Sequence, residues 1–220
     1  MKKNLILVAA AATMLSTQVS AAETLFEYYR STAQAGVGGE TQREYESKTL
    51  HGAEPVRQNY DLSVNGSSAS ASLDYNLEVS HFDNGATLSY YIDADIDRSE
   101  GDRGGVTISH GGNFQHSIRA TEDGVLRVNF NVEQIERNCP EIAPCLPLNS
   151  YVSAGGNGYR GSIAYDPKNG FKDGVDYIEI PAEKGRTYKV EFSSSGSISG
   201  GPQSQSVSAS YSVTWEMAPL

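Results

Sequence analysis

The sequence predicts an all-β protein, a two-sheet antiparallel β-sandwich of jelly-roll kind. Three observations carry that prediction: apolar and polar residues alternate in short stretches along most of the chain, turn clusters separate the stretches, and no run of any length repeats with the helical period. Composition agrees, since 38% hydrophobic residues, 20% charged residues and 22 Gly among 220 describe a polar, turn-rich globular chain. These figures exclude a membrane-helix protein, a coiled coil and a collagen. Thirteen Tyr and six Phe supply enough large apolar surface to exclude simple disorder.

The first segment is expected to be removed. Met1-Lys2-Lys3 is basic, Leu5 to Leu15 is apolar, and Val19-Ser20-Ala21-Ala22 places small residues at a cleavage site. Residues 1–21 therefore read as a secretory signal peptide and 22–220 as a single β-sandwich domain. Ser16, Thr17 and Gln18 end the apolar run short of the roughly 20 residues that a spanning helix needs. No Cys follows the cut to accept a lipid, so the expected product is exported, periplasmic or extracellular, and not inserted in a membrane. Losing Lys2 and Lys3 makes it more acidic than its formal net charge of −10. Such a field repels a phosphate backbone and favours cations, which excludes nucleic acid as a partner.

Along the mature chain, Glu23 to Gln34 reads either as a turn of helix or as a strand around Leu25, Phe26 and Tyr28. A weaker strand is expected over Tyr60 to Val64. Stronger ones bury Leu73, Tyr75, Leu77 and Val79, then Leu88, Tyr90, Ile92, Ala94 and Ile96. Gly105 to Ser109 and Gln115 to Ala120 read as two weak strands, and Leu126, Val128, Phe130 and Val132 as a stronger one. The two Cys, Cys139 and Cys145, lie in a Pro-containing segment of an exported chain and are expected to form a disulfide that stiffens one loop. Five residues separate them, against the two of a redox-active pair. Ser162 to Tyr165 and Asp176 to Ile180 are weak strands, and Tyr188, Val190 and Phe192 mark a stronger one. Ser193 to Pro202 reads as a flexible loop. The clearest strand is the last, with Val207, Ala209, Tyr211, Val213, Trp215 and Met217 on one face, which places Trp215 in the core. About nine or ten strands result. Short links such as Asp83-Asn84-Gly85 make them antiparallel. A transmembrane β-barrel is set aside because only the last strand has the length and pattern that a lipid-facing strand requires.

Candidate chemistry centres on one strand. Alternation sets Tyr91, Asp93, Asp95 and Asp97 together on its solvent side, and Ca²⁺ takes oxygen ligands of that kind. Asp93, Asp95 and Asp97 are thus candidate metal ligands, although the EF-hand loop fails, with Arg98 at its sixth position and Gly104 at its twelfth. Tyr91, an outward aromatic, and Asp93, Asp95 and Asp97 beside it, which accept hydrogen bonds from hydroxyls, are the candidate ligand-binding residues for a sugar. His51, His81, His110 and His116 match no zinc spacing and read as surface or loop histidines. His110-Gly111-Gly112 is a string found in esterase oxyanion loops, but no G-x-S-x-G elbow accompanies it, and no catalytic residue is assigned. The Ser-rich segment, Gly101 to Gly105 and Gly155 to Gly158 are expected to form a common rim of loops. The expected function is non-enzymatic binding of a carbohydrate or another cell-surface or matrix component. The alternatives are a self-associating structural protein of the envelope or extracellular matrix and, behind it, a glycan-active enzyme.

Overall fold

Period-two alternation requires each strand to hide one face, and two stacked sheets satisfy every strand at once. The computed structural model describes residues 22–38, 40–50, 54–66, 69–98, 105–140 and 145–218, with 25–27 and 40–50 described by backbone alone. The expected signal peptide, residues 1–21, lies outside them. The strands are β1 Ala22–Val37, β2 Glu40–Leu50, β3 Val56–Asn65, β4 Ala69–Phe82, β5 Gly85–Arg98, β6 Val106–Ala120, β7 Gly124–Asn138, β8 Asn149–Gly156, β9 Tyr159–Asp166, β10 Gly170–Phe171, β11 Tyr177–Ala182, β12 Thr187–Ser199 and β13 Gln203–Ala218. One sheet has the order β10-β9-β8-β12-β6-β1-β2, the other β11-β7-β13-β5-β4-β3. Every neighbouring pair is antiparallel.

The jelly-roll order is present. Strands β5-β13-β7-β11 in one sheet face β6-β12-β8-β9 in the other. This is the order produced when an antiparallel ribbon of the pairs β5/β13, β6/β12, β7/β11 and β8/β9 is rolled up. Strands β1 and β2 widen the first sheet, β3 and β4 the second. The inner faces meet in one continuous core, with Leu77 and Trp215 each 2% exposed and Phe130 fully buried. Phe192 ties the layers together, its ring centroid 5.3 Å from Phe114, 5.6 Å from Phe130 and 5.3 Å from Tyr211.

Several strands are longer and more numerous than alternation suggested. Thirteen occur among the described residues, and Glu23 to Gln34 belongs to β1. The weak strands on either side of Gly111-Gly112 are one strand, β6. Glycine does not break it because Gly112 points inward beneath Tyr75, where an added Cβ would sit 3.1 Å from the Tyr75 hydroxyl. The Ser-rich segment is likewise no loop, since β12 continues to Ser199 and the chain bends only at 200–202. Serine is polar enough for its outward positions and small enough for the inward one, Ser194. The common rim fails with it. Strand β12 meets Thr107 through Ser199 at one end of the sandwich and Gly155 through Lys189 at the other, so Gly155 to Gly158 and the 200–202 bend lie at opposite ends. Residues 101–104 lie outside the described residues.

The Cys139–Cys145 disulfide is formed, with Cα atoms 5.5 Å apart. It closes the loop where the chain leaves β7 in one sheet for β8 in the other. Immediately after it, Leu146 and Leu148 are fully buried. The Leu146 N–H donates to the buried Gln205 Oε1 at 2.5 Å. The bridge thus pins the crossing that feeds two leucines into the core. Replacing both cysteines by serine is expected to remove about 2 kcal/mol, the chain-entropy value for so short a loop. A urea midpoint that does not move would reject this role.

Candidate functional site

Strand β5 turns Tyr90, Ile92, Ala94 and Ile96 inward and Tyr91, Asp93, Asp95 and Asp97 outward, as its alternation requires. Tyr91 is 43% exposed, one of several large apolar side chains at the surface, with Tyr159 at 46% and Tyr177 at 39%. Register decides its neighbours. Asn59 of β3, Asn76 of β4, Tyr91 of β5 and Ser208 of β13 form one row across the sheet. The next row carries Arg57, Glu78, Ser89, Ser210 and Gln134. Together the two rows line a shallow cleft of about 440 Å³ on the outer face of the six-stranded sheet. Its polar groups are held by one another: Ser89 Oγ lies 3.0 Å from Ser210 Oγ, and the Arg57 guanidinium donates to Glu78 Oε1 at 3.2 Å.

The row on the other side of Tyr91 is acidic. Asp61, Asp74 and Asp93 stand directly opposite one another on β3, β4 and β5. Asp95 and Asp97 continue along β5 on the same face. Like charges in that position destabilise a sheet, so stability alone gives no reason for the row. Asn76 Nδ2 donates to Asp74 Oδ1 at 2.7 Å and links the acidic row to the cleft. For the metal expectation, alternate residues of a strand lie about 6.7 Å apart, which spreads Asp93, Asp95 and Asp97 along the strand rather than around a point. Among the described residues no group of three or more His, Cys, Asp or Glu is placed to hold a metal ion.

Beneath the cleft the sheet is braced by buried aromatic groups. Tyr60 stacks on Tyr75 with centroids 5.7 Å apart, and Tyr75 meets Tyr90 edge-on at 6.1 Å. The Tyr60 hydroxyl bonds to Ser31 Oγ of the opposite sheet, and the Tyr90 hydroxyl to Ser194 Oγ at 3.0 Å. Burial pushes the Tyr75 and Tyr90 phenols far above the usual tyrosine range, so both stay protonated and neutral at neutral pH. The packed rings and the two hydroxyl bonds to the opposite sheet brace β3, β4 and β5 and the groups outside them, while the Tyr75 hydroxyl is buried without a hydrogen-bond partner among the described residues.

The described histidines are not surface residues. His81 and His110 are each 4% exposed and His116 fully buried. The reason is the continuity of β6, which puts His110, Gly112, Phe114 and His116 on one inward face. His81 Nδ1 and His116 Nε2 are 3.0 Å apart, one donating and the other accepting, and the His116 ring lies 4.6 Å from Trp215. His110 sits between Tyr75 and Tyr90, at 5.5 and 5.4 Å. Burial pushes His81 down to about 4, and pushes His116 to about 3 with help from the neighbouring His81. His110 is lowered to about 4 by burial, against the opposing effect of the Pro147 carbonyl. All three are neutral core groups at neutral pH. His51 lies outside the described residues.

Asn59, Asn76, Ser208 and Gln134 escaped the sequence reading because they lie on four strands that only register brings together. Each carries one faint signal, a polar residue at an outward position of an alternating stretch. No protein-family model matches this chain, and no curated protein matches it either.

Proposed function

We propose that this chain is an exported, non-enzymatic β-sandwich protein that binds carbohydrate through the outer face of its six-stranded sheet. The observation that carries the reading is Tyr91, an exposed ring flanked in its own row by Asn76 and Ser208, inside a cleft lined by further amides and hydroxyls. A sugar ring offers apolar C–H faces and hydroxyl edges, which suit an aromatic face and hydrogen-bonding groups respectively. The acidic row beside the cleft favours neutral or basic sugars over uronic acids. The disulfide supports an oxidising compartment, in keeping with export. Self-association through a sheet edge is less well supported: of the four edges among the described residues, β10 has two residues, β11 contains Pro181, β2 carries Glu40, Arg43, Glu44, Glu46 and Lys48, and β3 carries Arg57 and Asp61 at outward positions.

The test is a titration of linear neutral hexasaccharides of glucose, mannose, galactose and N-acetylglucosamine. Tyr91→Ala should weaken the binding found by at least about tenfold, equivalent to about 1.4 kcal/mol, with an unchanged melting temperature. Undiminished binding in that variant would remove the cleft from the reading. Growth of oligomers with concentration, seen by sedimentation, would favour the structural alternative.

A further inference from the structure

We infer that the outer face of the opposite, seven-stranded sheet carries a second and independent sugar cleft centred on Tyr151, so that one molecule joins two glycan chains. The nature of its occupant rests on the carbohydrate reading above, but its geometry does not. Two rows cross this face. One runs Thr32, Gly111, Ser195, Asn149, and the other Arg30, Asn113, Ser193, Tyr151, Ala164. Small residues in the middle of each row leave the face hollow, and Tyr151 stands at the side of the hollow. Beyond it the β9–β10 turn and Lys172 raise a wall, enclosing about 480 Å³. A shallower hollow of about 260 Å³ over Gly111 and Asn113 adjoins it through Ser193 and Ser195.

The wall is rigid. Asp166 Oδ1 accepts the N–H groups of Lys168 at 2.6 Å and Asn169 at 3.2 Å, and Phe171 anchors the turn against Phe130 at 5.5 Å and Tyr165 at 5.0 Å. The Asp166 carboxylate is therefore engaged by backbone, and Lys172 lines the same cleft. The cleft presents a half-exposed tyrosine ring, serine hydroxyls and the amides of Asn149 and Asn169, a lining suited to a neutral sugar rather than to an anion or cation. It shares no residue with the Tyr91 cleft. Because the two lie on opposite outer faces, a short oligosaccharide cannot fill both, and a polysaccharide held at both is cross-linked.

The experiment uses the full mature chain carrying Tyr91→Ala, with the same hexasaccharides added at millimolar concentration and backbone amides followed by NMR. The expected result is saturable shifts at Ala164, Gly170 and Ser195, with affinity falling roughly tenfold when Tyr151→Ala is added. No shift at these amides with any of the sugars, or shifts undiminished by Tyr151→Ala, would overturn the inference. Failure of the first cleft alone looks different: in the unsubstituted protein Asn76 and Ser208 would stay still while Ala164 and Gly170 move.

Discussion

Lowering the pH from about 7 to about 5 is expected to destabilise the protein severely, before most of its carboxylates take up protons. The cause is the trio of buried imidazoles. Above the ordinary histidine pKa of about 6.5, folded and unfolded chains both hold them neutral and pH has no effect through them. Below it, the unfolded chain binds protons that the folded chain refuses until about pH 4 for His81 and His110 and about pH 3 for His116. Stability is therefore complete above about 6.5 and is lost as pH falls toward the folded-state values. By pH 5 each histidine removes roughly 2 kcal/mol, so the three together approach the whole stability of an ordinary domain. The check is a series of urea titrations between pH 7.5 and 5. A flat profile sinks the prediction, and His110→Leu should remove about a third of the slope.

Gly196→Ala is expected to cost about 3 kcal/mol, a drop of roughly 10 °C in melting temperature. Strand β12 faces inward at this position, where Gly196 pairs with His110 of β6. An added Cβ would lie 1.8 Å from the Pro147 carbonyl oxygen and 2.8 Å from His110 Nε2. A backbone carbonyl cannot swing aside as a side-chain tip can. Either β12 must leave its sheet or the 145–148 segment must withdraw, and withdrawal lifts Leu146 and Leu148 from the core. The exposed neighbour Ser195 has no such contact, and Ser195→Ala should leave the melt within about 1 °C of the original. An Ala at 196 that melts with the native protein would show that the crossing is not held against β12.

The part of this fold visible in the sequence was the part governed by alternation. Trp215, Phe130 and Leu77 are buried, Tyr90 is inward while Tyr91 is outward, and Cys139 pairs with Cys145. Hidden from it were places where a residue's usual habit yields to a neighbour brought from far along the chain. Gly111-Gly112 reads as a break until Tyr75 is known to need the space, and His116 reads as polar until His81 from β4 meets it at 3.0 Å. The same limit applied to the cleft. Tyr91 and the aspartates share one strand and could be found, whereas Asn76 and Ser208 join them only through a register that spans both flanking strands.

The last two strands occupy inner positions, β12 in one sheet and β13 in the other, and their partners β5 and β6 begin about a hundred residues earlier. Neither layer can be completed until the C-terminal segment arrives. Contacts so distant along the chain make for slow, all-or-none assembly. A nascent chain therefore lacks a stable halfway state, and a truncation before residue 187 should leave it without native structure rather than with a smaller version of it.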